Sequence, residues 1–259
     1  MANFQSVGGP FWSNGPAPGE FYQFPGNATK STSFVDPTKH DGGMITTGTS
    51  VIGVKYNNGV IIAADNLVSY GKMARFQNVE RVFKINDQVI IGVGGDYADF
   101  QFIKRHIDQL IINDDSIGDN NKLKPKSLFT YLTRVFYNRR CKMQPLWLDV
   151  IVGGIEDNQP FLGHVNVRGK AYLSNCVGTG FGNHLSIPLF REVVEQPNVN
   201  ITREKAEDVV KKCMEVLYYR DCVAYPKYSQ GICTMEGVEL DNDMAVDQNW
   251  QVAHMIRGF

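Results

Sequence analysis

Gly48-Thr49-Ser50-Val51-Ile52-Gly53-Val54-Lys55-Tyr56-Asn57-Asn58-Gly59-Val60-Ile61-Ile62-Ala63-Ala64-Asp65 is the stretch on which the fold turns. Val51–Tyr56 reads as an apolar strand, Asn57-Asn58-Gly59 as a turn, and Val60–Asp65 as a second strand. A threonine stands just ahead of the first strand. If the chain were cut between Gly48 and Thr49, the freed amine of Thr49 could act as general base for its own hydroxyl. The rest of the sequence decides whether that chemistry is armed.

The strand pattern continues outward from this hairpin. Val82–Ile85 and Val89–Val93 flank the turn pair Asn86-Asp87, and Gly94-Gly95 is expected to break the second of these strands. Asp96 caps a helix predicted to run to about Ile112, with Phe100, Ile103, Ile107, Leu110 and Ile111 at helical spacing. A polar loop is expected from Asn113 to Asn121. Pro125 then opens a second helix, with Leu128, Tyr131, Leu132, Val135 and Phe136 on one face. The second half repeats the order. Strands near Asp149–Gly153, Phe161–Val165 and Lys170–Leu173 precede helices at about Gly182–Glu195 and Thr202–Tyr219. Thr202 opens the last helix as an incomplete capping box, because Lys205 stands where Glu or Gln would complete it. Final strands fall near Gly231–Met235 and Val238–Leu240. Strands grouped ahead of paired helices, twice, predict sheets packed face to face with helices outside. A doubly wound parallel fold would alternate them singly.

The ends differ from this body. Residues 1–43 carry Gly8-Gly9-Pro10, Gly15-Pro16-Ala17-Pro18-Gly19 and Asp36-Pro37, which break regular structure, together with Phe11, Trp12, Phe21, Tyr22 and Phe24. Composition leaves two readings open, a flexible tail or a propeptide that docks on a partner. Residues 44–240 form one globular domain, roughly 200 residues long, large enough to bury a core without disulfides. Residues 241–259 form a tail with few helix or strand signals before Trp250. Its Trp250, Val252, Met255, Ile256 and Phe259 suit a partner surface better than solvent.

Composition excludes several function classes. A net charge of −1 over 259 residues gives no broad footprint for nucleic acid or membrane. No apolar run reaches the roughly 18 residues of a membrane span, and no secretory signal opens the chain. The five cysteines, Cys141, Cys176, Cys213, Cys222 and Cys233, form no CxxC pair and read as reduced, mostly buried thiols. His106, His164, His184 and His254 lack ligand spacing, so no metal is implied. Gly92-Val93-Gly94-Gly95 has neither a Gly-Lys-Ser/Thr ending nor a GxGxxG spacing, so it reads as a turn rather than a phosphate loop. No cofactor is expected.

Gly48-Thr49, the hairpin ending in Asp65, the Val93–Asp99 run, Gly178-Thr179-Gly180 and Tyr219-Arg220-Asp221 together resemble the beta-type subunits of the proteasome core particle. The resemblance covers about Thr46 to Met235. It implies an α+β fold, the four-layer αββα sandwich of N-terminal nucleophile hydrolases, and a place in stacked rings of seven different subunits. Finer segments look like the seventh, non-catalytic beta type: Gly15–Tyr22, Ala74-Arg75-Phe76, Gly95–Gln101, Pro145-Leu146-Trp147, Leu217–Asp221 and Ala253–Ile256.

Carried over residue by residue, active members of that family surround the threonine with two carboxylates, a lysine and serines. Asp65 and Asp221 match the carboxylates. The lysine falls at Arg81, whose guanidinium stays protonated near neutral pH and whose planar fork fills different space. Ala224 stands where a serine is needed, and Thr179 replaces another serine but keeps a hydroxyl. Lys84, three residues from Arg81, lies on the opposite face of a strand and is no substitute. Self-cleavage at Gly48–Thr49 would need the same relay. The resemblance therefore implies a cut upstream, near His40–Gly43, by an active neighbour, with an extension left ahead of Thr49.

The expected function is a structural, non-catalytic subunit of the proteasome core, in the cytoplasm and nucleus, serving intracellular protein degradation. Its partners would be the other alpha and beta subunits of a 28-chain particle, and indirectly the regulatory particle. The alternatives are an active threonine endopeptidase with Thr49 as nucleophile, and a free-standing N-terminal nucleophile amidase.

Overall fold

A computed structural model of the chain describes residues 46–118, 122–195 and 201–251. The hairpin that opens the sequence argument forms as expected. Strands β2 (Val51–Tyr56) and β3 (Gly59–Asp65) pair antiparallel, from Val51 opposite Ala64 to Tyr56 opposite Gly59. Nearly every residue of the hairpin is buried, because both of its faces are covered.

Ahead of the hairpin lies a short strand, β1 (Thr46–Gly48). After it come β4 (Leu67–Tyr70), β5 (Met73–Gln77), β6 (Val82–Asn86) and β7 (Val89–Asp96). Helices α1 (Tyr97–Ile117) and α2 (Pro125–Cys141) follow, then β8 (Leu148–Glu156), β9 (Gln159–Val165), β10 (Ala171–Leu173) and β11 (Cys176–Gly178). Helices α3 (Gly182–Val194) and α4 (Arg203–Arg220) precede the last strands, β12 (Lys227–Thr234) and β13 (Gly237–Ala245).

Two antiparallel sheets result. One has the order β10-β9-β8-β7-β1-β4-β5, with β6 also paired to β7. The other has the order β11-β2-β3-β12-β13. Three apolar clusters fix the layers. Phe100, Ile103 and Ile107 of α1, with Leu128, Leu132 and Phe136 of α2, pack on Val89, Ile91, Val150 and Val152 of the first sheet. Phe190 of α3, with Val210, Met214 and Leu217 of α4, packs on Ile52, Ile61 and Ala63 of the second. Between the sheets lie Val51, Ile62, Ile90, Ile151, Leu162 and Val177. Alternate residues of β2, β3 and β7 thus serve two different clusters, as the period of two requires. The expected αββα sandwich is the observed one.

Several boundaries differ from expectation. Gly94-Gly95 does not end β7, which continues to Asp96 with Gly94 opposite Asp149 and Gly95 opposite Leu148. Glycine is needed there for close approach: a Cβ on Gly95 would stand 2.2 Å from the Trp147 carbonyl oxygen, and one on Gly94 2.9 Å from that of Thr49. Helix α1 does not end at Ile112. It runs through polar residues on its exposed side to Ile117 and stops at Gly118, whose φ of 71° makes a left-handed cap. Strand β13 extends through Asp241-Asn242-Asp243 to Ala245, because β12 pairs with it out to Ala245. Strands β1, β4, β5 and β11 have no expectation to match.

The first sheet has open edges. Every residue of β5 is exposed, Met73 and Phe76 included, and β10 at the other end exposes Leu173 and part of Tyr172. Among the described residues no helix is long and apolar enough to cross a membrane.

Of the five thiols, Cys176, Cys213 and Cys233 are buried and Cys141 and Cys222 exposed. Burial raises Cys213 to about 12 and Cys233 to about 11. Iodoacetamide at pH 8 should therefore modify Cys141 and Cys222 in the native chain, and the other three only after denaturation. Peptide mass mapping before and after guanidinium treatment checks this.

Candidate functional site

The site forms where the start of β2, the end of β3 and the residue ahead of β6 converge, with the end of α4 closing it. Thr49 stands between β1 and β2, and its hydroxyl donates to Asp65 Oδ1 over 3.3 Å. Asp65 ends β3 and is buried. Arg81, also buried, takes the place beside them.

The Arg81 guanidinium is fully engaged. Its Nη2 pairs with Asp65 Oδ1. Its Nε donates to the Asp65 carbonyl over 2.8 Å, Nη1 to the Thr49 carbonyl over 3.0 Å, and Nη2 to the Ser50 carbonyl over 3.2 Å. A planar fork can span three carbonyls and a carboxylate at once, which an ammonium cannot do. Burial lowers the guanidinium to about 9, and the charge of Asp221 draws it back up. It remains a cation at neutral pH, with its donors directed at Asp65 and at backbone carbonyls. The side chain also lies across Gly48, where a Cβ would meet Arg81 Cδ at 2.6 Å.

The remaining positions have structural occupations. Thr179 Oγ1 accepts from the Val51 amide over 2.9 Å, and the Thr179 amide donates to the Val51 carbonyl over 2.8 Å. Its hydroxyl therefore fastens the loop after β11 to β2. Asp221 caps the end of α4, and its Oδ1 accepts from the Val223 amide over 3.1 Å. Ala224 brings no hydroxyl. Thr49, Asp65, Met214, Leu217, Tyr218, Asp221, Ala224 and Tyr225 line a cavity of only about 10 Å³. That is about the lower limit for a single water. Lys84 points away, exposed, with its Nζ 2.7 Å from Asp87 Oδ1.

Thr49, Asp65, Arg81, Asp221 and Ala224 are thus brought together, with Thr179 beside them. Trp250 is elsewhere, stacked edge-on against Tyr219 at 5.1 Å and Tyr218 at 6.0 Å. Asn249 exchanges hydrogen bonds with the Tyr219 hydroxyl, its amide donating over 2.6 Å. Met255, Ile256 and Phe259 lie outside the described residues, as do residues 1–43 and the expected cut at His40–Gly43. Sequence reasoning missed Ser50, whose hydroxyl accepts from the Gly182 amide over 2.9 Å, and Tyr218, which touches both the small cavity and Trp250. Ser50 carries no motif signal, and Tyr218 falls within the Leu217–Asp221 segment without having been given a role. It also missed the packing of Arg81 on Gly48, which pairs a large residue with the smallest one.

Comparison with known proteins gives a consistent result. Residues 45–233 match the family described as "Proteasome subunit". The chain is 46% identical to "Proteasome subunit beta type-4" of Drosophila melanogaster, with all of both chains covered. It is 44% identical to the protein of that name from Xenopus laevis, over 95% of this chain and 98% of that one. It is also 41% identical to "Proteasome subunit beta type-7" of Saccharomyces cerevisiae, over 83% and 84% respectively.

Removing Arg81 leaves a buried carboxylate and three carbonyls without this donor. Arg81→Ala should lower stability by about 3–5 kcal/mol. Arg81→Lys should recover only part of that loss, because one ammonium cannot reach all four acceptors. Urea midpoints of the three chains check the order.

Proposed function

The chain belongs to the proteasome subunit family, and on that premise we propose that it is a non-catalytic beta-type subunit of the core particle. Family membership implies assembly with other proteasome subunits. The observation that carries the inactive reading is Arg81. It holds the lysine position of the active members with all its reach spent on Asp65 and on the carbonyls of Thr49 and Ser50. The lack of a serine at Ala224 and the filled cleft beside Thr49 support the same reading. The names of the Drosophila and Xenopus relatives fit the non-catalytic seventh type, and the active-endopeptidase alternative is not favoured.

The finer parts of the reading are these. The chain sits in a 28-chain core of the cytoplasm and nucleus and meets the regulatory particle only indirectly. Residues 1–43 are a propeptide cut near His40–Gly43 by an active neighbour, and residues 44–240 are the beta-type domain. Residues 241–259 reach a partner through Trp250, Met255, Ile256 and Phe259. The anchoring of Asn249 and Trp250 on Tyr218 and Tyr219 gives that segment a defined point of departure. Thr49, Asp65, Arg81, Thr179, Asp221 and Ala224 are the degenerate counterparts of a catalytic set.

The mature N-terminus tests this reading. Sequencing of the subunit from intact core particles should find a start several residues before Thr49, and a start at Thr49 would sink it. Thr49→Ala should leave peptide hydrolysis by the particle within about twofold of wild type, since no transition-state contact is removed.

A further inference from the structure

Two carboxylate oxygens beside Thr49 are left over by the hydrogen-bond network. Asp65 Oδ1 takes the Arg81 guanidinium and the Thr49 hydroxyl. Asp221 Oδ1 takes the Val223 amide. The other oxygen of each, Oδ2, is buried and has no hydrogen-bond partner among the described residues. Both residues line the cavity of about 10 Å³ beside Thr49.

An ionised carboxylate only accepts hydrogen bonds, so these two oxygens cannot satisfy each other. The charge count shows what they need. Asp65 and Asp221 bring two negative charges to this buried place, and Arg81 brings one positive charge. The Asp221 charge acts on the guanidinium, but the guanidinium N–H groups are directed at Asp65 and at backbone carbonyls. No further Lys, Arg or His lines the cavity. One negative charge is therefore uncompensated, and burial makes that costly. A water would give each oxygen a hydrogen bond and leave the charge as it is. A cation meets both needs.

Size and donor type choose the cation. The cavity admits one particle of about the size of a water. Magnesium keeps several of its waters when it binds, and they would need more room. The donors are all oxygens, which suit a hard cation rather than zinc or copper. Among the described residues no three His, Cys, Asp or Glu side chains are grouped to hold a metal, so a site here belongs to an ion that needs few carboxylates. Potassium carries a single charge, sheds its waters readily and is close to water in size.

We infer that the cavity beside Thr49 is a potassium site, with Asp65 Oδ2, Asp221 Oδ2 and the Thr49 hydroxyl oxygen as ligands. The ion joins the end of β3 to the end of α4 and completes the neutralisation that Arg81 begins. The inference rests on the non-catalytic reading, because a free amine on Thr49 would bring a positive charge of its own to the same place.

The test uses crystals of intact core particles soaked in rubidium, which stands in for potassium and scatters anomalously at its absorption edge. Wild type should give an anomalous peak in contact with Asp65 Oδ2 and Asp221 Oδ2. Excess potassium should abolish that peak, and excess magnesium should leave it. Two variants remove the site by different means: Asp221→Asn takes away a charge, and Ala224→Val takes up the room. Each should lose this peak and keep the rubidium peaks elsewhere in the particle. In wild type, no peak at this place, with density for a water only, would overturn the site whether or not the variants assemble. A peak that survives either variant, or that magnesium displaces as readily as potassium does, would overturn it too. N-terminal sequencing reports separately on the non-catalytic reading.

Discussion

One buried ion pair organises this subunit. Arg81 and Asp65 are both almost wholly removed from solvent, and a charge there is tolerable only when it is paired and its remaining valences are satisfied. The guanidinium meets that condition through the carbonyls of Thr49, Ser50 and Asp65. Those carbonyls belong to the start of β2 and the end of β3, the hairpin on which the second sheet is built. The arginine itself enters β6 of the first sheet. A single side chain therefore ties the two sheets together at one end of the sandwich. Arg81 is in this sense a strut of the sandwich.

The groups around the ion pair are likewise committed to backbone. Thr179 spends its hydroxyl on the Val51 amide, Ser50 spends its own on the Gly182 amide, and Asp221 binds the Val223 amide. Each of these polar groups thus fastens one segment of backbone to another. Asp96 does so twice, capping α1 through the Asp99 amide and receiving the Thr46 amide. The candidate site is held together by hydrogen bonds between side chains and backbone.

Most of the fold was legible in the sequence because its sheets and helices bury faces of regular period. Val51–Tyr56, Val89–Val93, Phe100–Ile107 and Leu128–Phe136 declare themselves by alternation or helical spacing. The candidate site was legible for a different reason: its residues were picked out by motif, and Thr49, Asp65, Arg81, Asp221 and Ala224 do lie together. What escaped was decided by partners distant in the chain. Thr46–Gly48 has no strand character of its own and is extended only because β4 and β7 flank it. Leu67–Gln77 is a hairpin whose outer strand is exposed and so shows no alternation. Gly94-Gly95 resembles a breaker in isolation, yet in place it admits two neighbouring backbones. The end of α1 was hidden because polar residues on a solvated helix face resemble a loop.

The first sheet ends in β5 on one side and β10 on the other, and among the described residues neither edge pairs with a further strand. Met73 and Phe76 are exposed on one, Leu173 on the other. Natural sheets usually blunt such edges, because unpaired backbone groups beside apolar side chains recruit other strands. A copy made in excess of its partners therefore carries an aggregation hazard at both ends of one sheet, and its solubility becomes a matter of stoichiometry. Balanced synthesis of the subunits is in this sense a folding requirement, written into the rims of a single sheet.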